Sequence, residues 1–182
     1  MTDRSGEGYS IEDVLAVANS RHGPGAHRGR AQAGWTEPHD HLDSPQRAVD
    51  FLSGRMPLPD RPPDALALAS LRRVRDLVWG VWERADEADW DQVLEELLSG
   101  ARYRLDSEGG LHPDQPGWPG VVAGLLPPLL ELKRQSHRLK RCENPRCGWL
   151  YLDRSRNRSR RWCEMATCGN RAKAYRYKQR NS

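Results

Sequence analysis

Apolar residues recur at helical intervals through most of the chain. Leu71, Val74, Val78 and Trp82 follow one another at steps of three and four, which puts one apolar stripe on a helix from about Pro63 to Asp86. Trp79 and Trp82 read as core packing rather than a ligand box. Trp90 to Leu98 is a shorter amphipathic helix, with Asp89 placed to cap its N-terminus. Trp118 to Lys140 is helical again but carries Pro127-Pro128, which predicts a kink or two abutting helices, because proline lacks the amide donor and crowds the preceding turn. Leu125, Leu126, Leu129, Leu130 and Leu132 make a dense apolar patch around that point. Between these helices, Ala101–Leu105 and Leu111-His112 flank Ser107-Glu108-Gly109-Gly110, the signature of a hairpin. Arg21 to Pro45 breaks the pattern with Gly, Pro, Arg and His, including His22, His27, His39 and His41. An exposed loop is the expectation there. A metal site at His39-x-His41 and a loop that closes on a small ligand are the alternatives.

The pattern changes after residue 132. All four cysteines fall in the last stretch, as Cys142, Cys147, Cys163 and Cys168 in a C-x4-C-x15-C-x4-C arrangement. Two close pairs joined by a short segment suit a tetrahedral zinc ion, each pair coming from one turn. Two disulfides, or four unrelated buried thiols, are the alternatives. Pro145 and Gly148 supply turn chemistry beside the first pair. Trp149 to Leu152 is a short β-prone run, Asp153 to Ser159 is polar and turn-like, and Arg160 to Cys163 is expected to return as a second strand. Gly169-Asn170 then opens a helix, with Cys168 at or just before its N-terminus, where the helix dipole favours a thiolate. Knuckle, hairpin and helix together are treble-clef-like. One Zn2+ per chain held by four thiolates has a closed coordination shell, so its expected role is structural. No nucleophile elbow, P-loop, His-Glu-x-x-His or dinucleotide fingerprint occurs, and the expectation is a protein that is not an enzyme.

Composition adds two things. With 182 residues, 30% of them charged, and a mean hydropathy of −0.85, no stretch approaches the length of a membrane span. Met1 to Glu7 does not resemble a signal peptide, so the expected compartment is the cytoplasm, where thiols stay reduced. The charge, +4 in total, is unevenly divided: residues 133–182 carry about +13 and residues 1–132 about −9. So basic a segment suggests a polyanionic partner. Arg154, Arg156, Arg158 and Arg160 alternate, and in an extended chain they would project from one face. Asn170, Arg171, Lys173 and Lys178 place polar and basic groups on the last helix, near enough its N-terminus for a recognition helix to reach bases. Arg forks suit phosphate oxygens and guanine edges. Arg161, beside Trp162, is the arginine expected to serve the module's own packing.

Cys142-Glu143-Asn144-Pro145-Arg146-Cys147-Gly148-Trp149-Leu150-Tyr151-Leu152-Asp153, Arg154 to Cys163, and Cys168-Gly169-Asn170-Arg171-Ala172-Lys173 together resemble a CGNR zinc finger. In that family the finger usually follows an ABATE domain, associated with stress-induced transcription regulation. Ile11 to Ser20 and Asp43 to Leu52 are loosely similar to that domain's opening helices, with Val17-Ala18-Asn19-Ser20 where the family usually has Phe-Val-Asn-Thr. The resemblance implies a mainly α chain. Residues 1–137 would form a helical ABATE-like sensor domain with a small β-hairpin, and residues 138–182 a treble-clef-like zinc module. DNA is the expected partner, with a small-molecule effector at the N-terminal domain and a homodimer as further expectations. The alternatives are an RNA-binding protein using the same basic module, and a small-molecule-binding protein whose module mediates protein contacts.

Overall fold

The computed structural model describes residues 8–22, 39–84, 86–144 and 147–180. In chain order the elements are α1 (Ile11–Ala18), β1 (Arg21–His22), β2 (His39–Asp40), α2 (Pro45–Leu52), α3 (Ala65–Glu83), α4 (Glu87–Ser99), β3 (Tyr103–Leu105), β4 (Leu111–Pro113), α5 (Gly117–Arg134), β5 (Leu139–Arg141), β6 (Leu150–Leu152) and α6 (Asn170–Arg180). They fall into two compact units. One holds α1 to α5 with β3 and β4, up to Ser136; the other holds β1, β2 and the chain from His137.

Helix starts in the first unit are set by side-chain caps. Ser10 and Asp13 form a capping box, in which the Ser10 amide donates to Asp13 Oδ2 at 2.7 Å and the Asp13 amide to Ser10 Oγ. Ser44 caps α2 ahead of Pro45, whose missing donor costs nothing at the first helical position. Asp64 caps α3 by accepting from the Ala67 amide at 2.8 Å. Asp89 is not a cap: α4 starts at Glu87, and Asp89 lies exposed in its first turn, where a carboxylate still favours the dipole.

The core lies where α3 packs on α1 and α5. Leu71, Val74 and Val78 are completely buried, together with Val14, Val17, Leu125, Leu126, Leu129 and Leu132. Leu130 points off that face and is half-buried. The α3 stripe stops short of Trp82, which is 37% exposed in the last turn of the helix. Trp79 turns inward instead, and its indole N–H donates to the Ala18 carbonyl at the end of α1, 3.0 Å away. Trp90 is buried, donates to Leu77 O at 3.2 Å, and lies under the Lys133 ammonium, 3.7 Å from its ring centroid.

α5 is one continuous helix through Pro127 and Pro128 rather than two abutting ones. Pro127 cannot donate to the carbonyl of Ala123, four residues back, and Ala123 is buried. The Tyr103 hydroxyl fills that place, donating to Ala123 O at 2.7 Å from the β3–β4 hairpin. Burial pushes the Tyr103 hydroxyl up to about 12, so it remains a donor throughout the ordinary pH range. Gly124, next along, carries no side chain because a Cβ there would fall 2.2 Å from the Tyr9 ring. The hairpin pairs Leu105 with Leu111, and its turn closes on Asp106, which accepts from the amides of Glu108 and Gly110.

α5 ends at Arg134, earlier than the expected Lys140. A 3-10 turn, Ser136–Arg138, leads into β5, which is needed as the antiparallel partner of β6. The expected return strand at Arg160–Cys163 is therefore absent, because β6 takes its partner from upstream of the first cysteine. Register pairs Leu139 with Leu152, Lys140 with Tyr151 and Arg141 with Leu150. The two ends of the histidine-rich stretch also pair, as β1 with β2, while residues 23–38, with His27, lie outside the described residues. His39 sits in β2 opposite His22, and His41 stacks on Phe51 with ring centroids 4.3 Å apart.

Removing the Tyr103 hydroxyl should expose how α5 tolerates two prolines. Tyr103→Phe strands a buried carbonyl and should lower unfolding free energy by about 1–3 kcal/mol in urea titration. Helical content by circular dichroism should stay unchanged. A variant as stable as the parent would show that Ala123 O has another donor.

Candidate metal centre and basic surface

Each cysteine pair is carried by a different kind of turn. Cys142 follows β5 directly, and its amide donates to Trp149 O at 2.8 Å, continuing the β5–β6 ladder by one step. Cys147 closes the knuckle with its amide on Asn144 O at 2.8 Å. Gly148 follows with φ +67°, a left-handed conformation suited to glycine. Cys163 lies just before a π-helical turn, Met165–Gly169, and Cys168 lies within it; the turn runs straight into α6. Cys168 thus lies two residues before the α-helix, as its position in the sequence suggested. Gly169 is closely approached: a Cβ there would lie 2.3 Å from Met165 Sδ and 3.2 Å from the Trp162 ring, so the Met165 side chain would have to move.

All four cysteines are buried and unbridged, and their sulfurs lie within 4.8 Å of one another. Cys147 and Cys163 are 3.6 Å apart, Cys163 and Cys168 3.7 Å. Zinc–thiolate bonds of about 2.3 Å in a tetrahedron require sulfurs about 3.8 Å apart, so the set fits one zinc ion. Contacts among the sulfurs pull the Cys142 thiol down and push those of Cys147 and Cys163 up. A bound cation favours the deprotonated form, so zinc would be held by four thiolates. Among the described residues this is the one group of His, Cys, Asp and Glu side chains arranged to hold a metal.

Arg154 to Arg160 does not run extended, so the alternating arginines do not form a stripe. The reason is Asp153, which sits fully buried at the end of β6. Its Oδ1 accepts from the Ser155 amide at 2.9 Å and hydroxyl at 2.6 Å; its Oδ2 accepts from Lys140 Nζ at 2.7 Å and the Arg160 amide at 3.0 Å. These bonds draw both ends of the segment onto one carboxylate and close it into a loop. Burial alone would raise the Asp153 carboxyl; the four donors outweigh it and hold the group well below the usual carboxylate range. Lys140 also donates to the carbonyls of Arg158 and Arg160, and Arg138 to those of Asp153 and Ser155. At the tip, Arg158 takes φ +49°.

Arg154, Arg156 and Arg158 are exposed on this pinned turn. Arg160 is used internally: its guanidinium donates to the Trp162 and Cys163 carbonyls and lies 5.0 Å from the Tyr151 ring centroid, and its own carbonyl accepts from the Tyr151 hydroxyl at 2.6 Å. Arg161 lies over Trp162 and forms an exposed ion pair with Glu143, Nε to Oε2 at 2.6 Å. Asn170, Arg171, Lys173 and Lys178 are all exposed on α6, and Asn170 donates its amide to Ala166 O at 3.1 Å. The reading from sequence missed Asp153 and Lys140. An aspartate two residues before a serine is an Asx-turn signal that could have found the first. It also missed Tyr177, whose exposed ring shares α6 with these basic groups.

The chain is thus a helical unit followed by a four-cysteine module with a basic turn and a basic helix. A family model described as "Putative stress-induced transcription regulator", ABATE, matches residues 14–132, and a CGNR zinc finger model matches residues 138–181. The chain belongs to the ABATE family and ends in a CGNR zinc finger. No curated protein matches it. Among the described residues, no helix is long and apolar enough to cross a membrane.

Two outcomes test the centre. Elemental analysis should find one zinc per chain, and Cys163→Ser should abolish it and unfold the chain beyond about Arg141 while the N-terminal helices stay folded; stoichiometric zinc in that variant would refute the four-sulfur site. Asp153→Asn puts an amide N–H where one oxygen now accepts two donors. It should cost about 3 kcal/mol, as expected for breaking a buried ion pair, and open the turn to trypsin at Arg154, Arg156 and Arg158 while zinc is retained. Unchanged cleavage would show that Asp153 does not hold the turn.

Proposed function

We propose that the protein is a cytoplasmic DNA-binding transcription regulator, with residues 138–182 as the DNA-binding module and residues 1–137 as the sensor of a small-molecule effector. The observation that carries this reading is the turn Arg154–Arg158, three exposed guanidinium groups on a backbone fixed by Asp153 and tied to a metal-held scaffold. Guanidinium groups on a rigid support lose little entropy on meeting phosphates. Asn170, Arg171, Lys173 and Lys178 extend the same charge along α6. Arg160, already bonded to the module's backbone, contributes charge from a fixed position.

The sensor assignment draws on the family's description and on the polar groups Asp13, Asn19, Ser20 and Arg75 buried in the first unit. A homodimer fits the small footprint of one module, since paired half-sites are the usual route to a specific operator. The zinc is structural in this reading, with no coordination position left for a substrate.

Binding of the full-length protein to duplex DNA should fall steeply with salt. If about five phosphates are neutralised, log K against log salt should slope near −4 to −5. Replacing Arg154, Arg156 and Arg158 together by alanine should weaken binding and flatten the slope by about one unit for each phosphate no longer neutralised. Zinc content and stability should stay within about 0.5 kcal/mol, as is usual at exposed positions. A salt-independent affinity would rule out the phosphate reading. An RNA of equal length that outcompetes the duplex at matched salt would move the reading to RNA.

A further inference from the structure

We propose that the outward face of α6, centred on Tyr177, reads base sequence in duplex DNA, while the Arg154–Arg158 turn supplies contacts that are independent of sequence. The proposal rests on the DNA-binding reading above and divides its labour between two surfaces.

Asn170, Lys173, Ala174 and Tyr177 are spaced i, i+3, i+4 and i+7, so they stand on one face of the helix. All four are exposed, while Ala172, on the opposite side, is half-buried. The face therefore looks away from the module that holds the helix. Tyr177 leaves 65% of its surface in water. An aromatic ring so placed buries little within its own unit, and Lys173 and Arg180, four residues before it and three after, flank it with positive charge. Apolar surface flanked by cations suits a polyanion that also offers apolar edges, as duplex DNA does.

The composition of the face matches base edges more than backbone. Asn170 uses one amide hydrogen on Ala166 O, and its oxygen and second hydrogen form the acceptor–donor pair that complements the edge of adenine. Ala174 adds no bulk at the centre, so the helix can sit deep in a groove about 12 Å wide. Tyr177 can lay its ring on a thymine methyl. The turn is built differently. Its three side chains are all guanidinium, with no apolar or amide group among the exposed residues except Asn157. Such a surface counts phosphates and does not distinguish bases.

The test uses the full-length zinc-loaded protein. A preferred duplex is selected from a random pool, and affinities for it and for a scrambled duplex of equal length are measured across a salt series. Tyr177→Ala should weaken binding to the preferred duplex by about tenfold or more, the scale of a single base contact. It should leave the scrambled duplex within about twofold and the salt slope unchanged. The triple arginine variant should weaken both duplexes alike. Asn170→Ala is a second variant on the same face and should also reduce the preference, which keeps the test decisive if Tyr177→Ala loses zinc. Equal effects of Tyr177→Ala on both duplexes, or no effect on either, would overturn the proposal. So would an effect confined to single-stranded probes, which would assign the ring to stacking on an unpaired base. A parent protein that binds neither duplex would instead sink the DNA-binding reading itself, and is visible before any variant is made.

Discussion

Four buried sulfurs need a cation, and the C-terminal unit is organised around that need. Its apolar core is little more than Leu139, Trp149, Leu150, Tyr151 and Leu152 with the cysteines themselves. So small a core supplies little folding energy alone, and metal binding free energy takes its place in domains of this kind. The four thiolates come from three pieces of chain: the end of β5, the knuckle, and the turn before α6. One ion therefore fixes the spacing of everything between them. The β5–β6 pair, only three residues on each side, is too short to stand by itself and is closed at its tip by Cys142 and Cys147.

Within that frame Asp153 acts as a second, purely organic centre. A buried carboxylate accepting from Lys140, Ser155 and the Arg160 amide resembles a metal site in reverse, with an anion gathering donors. Its ion pair with Lys140 spans the two strands, because Lys140 lies in β5 and Asp153 just past the end of β6. The pairing fixes a loop that would otherwise be repelled apart by its own arginines. Like charges at close spacing favour an extended, solvated chain. Here that repulsion is opposed by hydrogen bonds between backbone and side chain, leaving the guanidinium groups of Arg154, Arg156 and Arg158 outside and the backbone inside.

The legible parts of the chain are those where a local rule has no strong competitor. The cysteine spacing, the α3 stripe through Val78, and the β3–β4 hairpin with its Gly109-Gly110 turn each follow from short-range chemistry. Three features depend on a partner that hydrophobic or charge periodicity does not reveal. Pro127 sits inside a continuous helix because Tyr103, twenty residues before Ala123, donates to the carbonyl that the proline leaves unpaired. Leu150–Leu152 pairs with Leu139–Arg141 rather than with the residues after it, since β5 reaches it first across the knuckle. Arg154 to Arg160 has the alternation of a strand, and one buried aspartate overrides it. The cap expected at Asp89 fails for a simpler reason: α4 begins at Glu87, two residues earlier.

The total charge of +4 is a poor guide to how the protein would meet the proposed polyanionic partner. Phosphate contacts respond to charges within a Debye length, about 8 Å at physiological salt, and not to the sum over the chain. On that scale the zinc module would act with its own surplus of about +11, while the acidic first unit would contribute long-range repulsion that salt largely removes. The two effects oppose each other in salt dependence. Repulsion from the acidic unit would weaken loose, non-specific association at low salt and fade as salt rises, while the module's phosphate contacts would themselves weaken with salt. In the proposed complex, opposite charge on the two units would favour bound states in which the module is seated closely, and a close seat is what base-edge contacts require. If the module binds duplex DNA as proposed, the asymmetry of charge and the metal-held scaffold would act in the same direction, toward selectivity rather than toward maximal affinity.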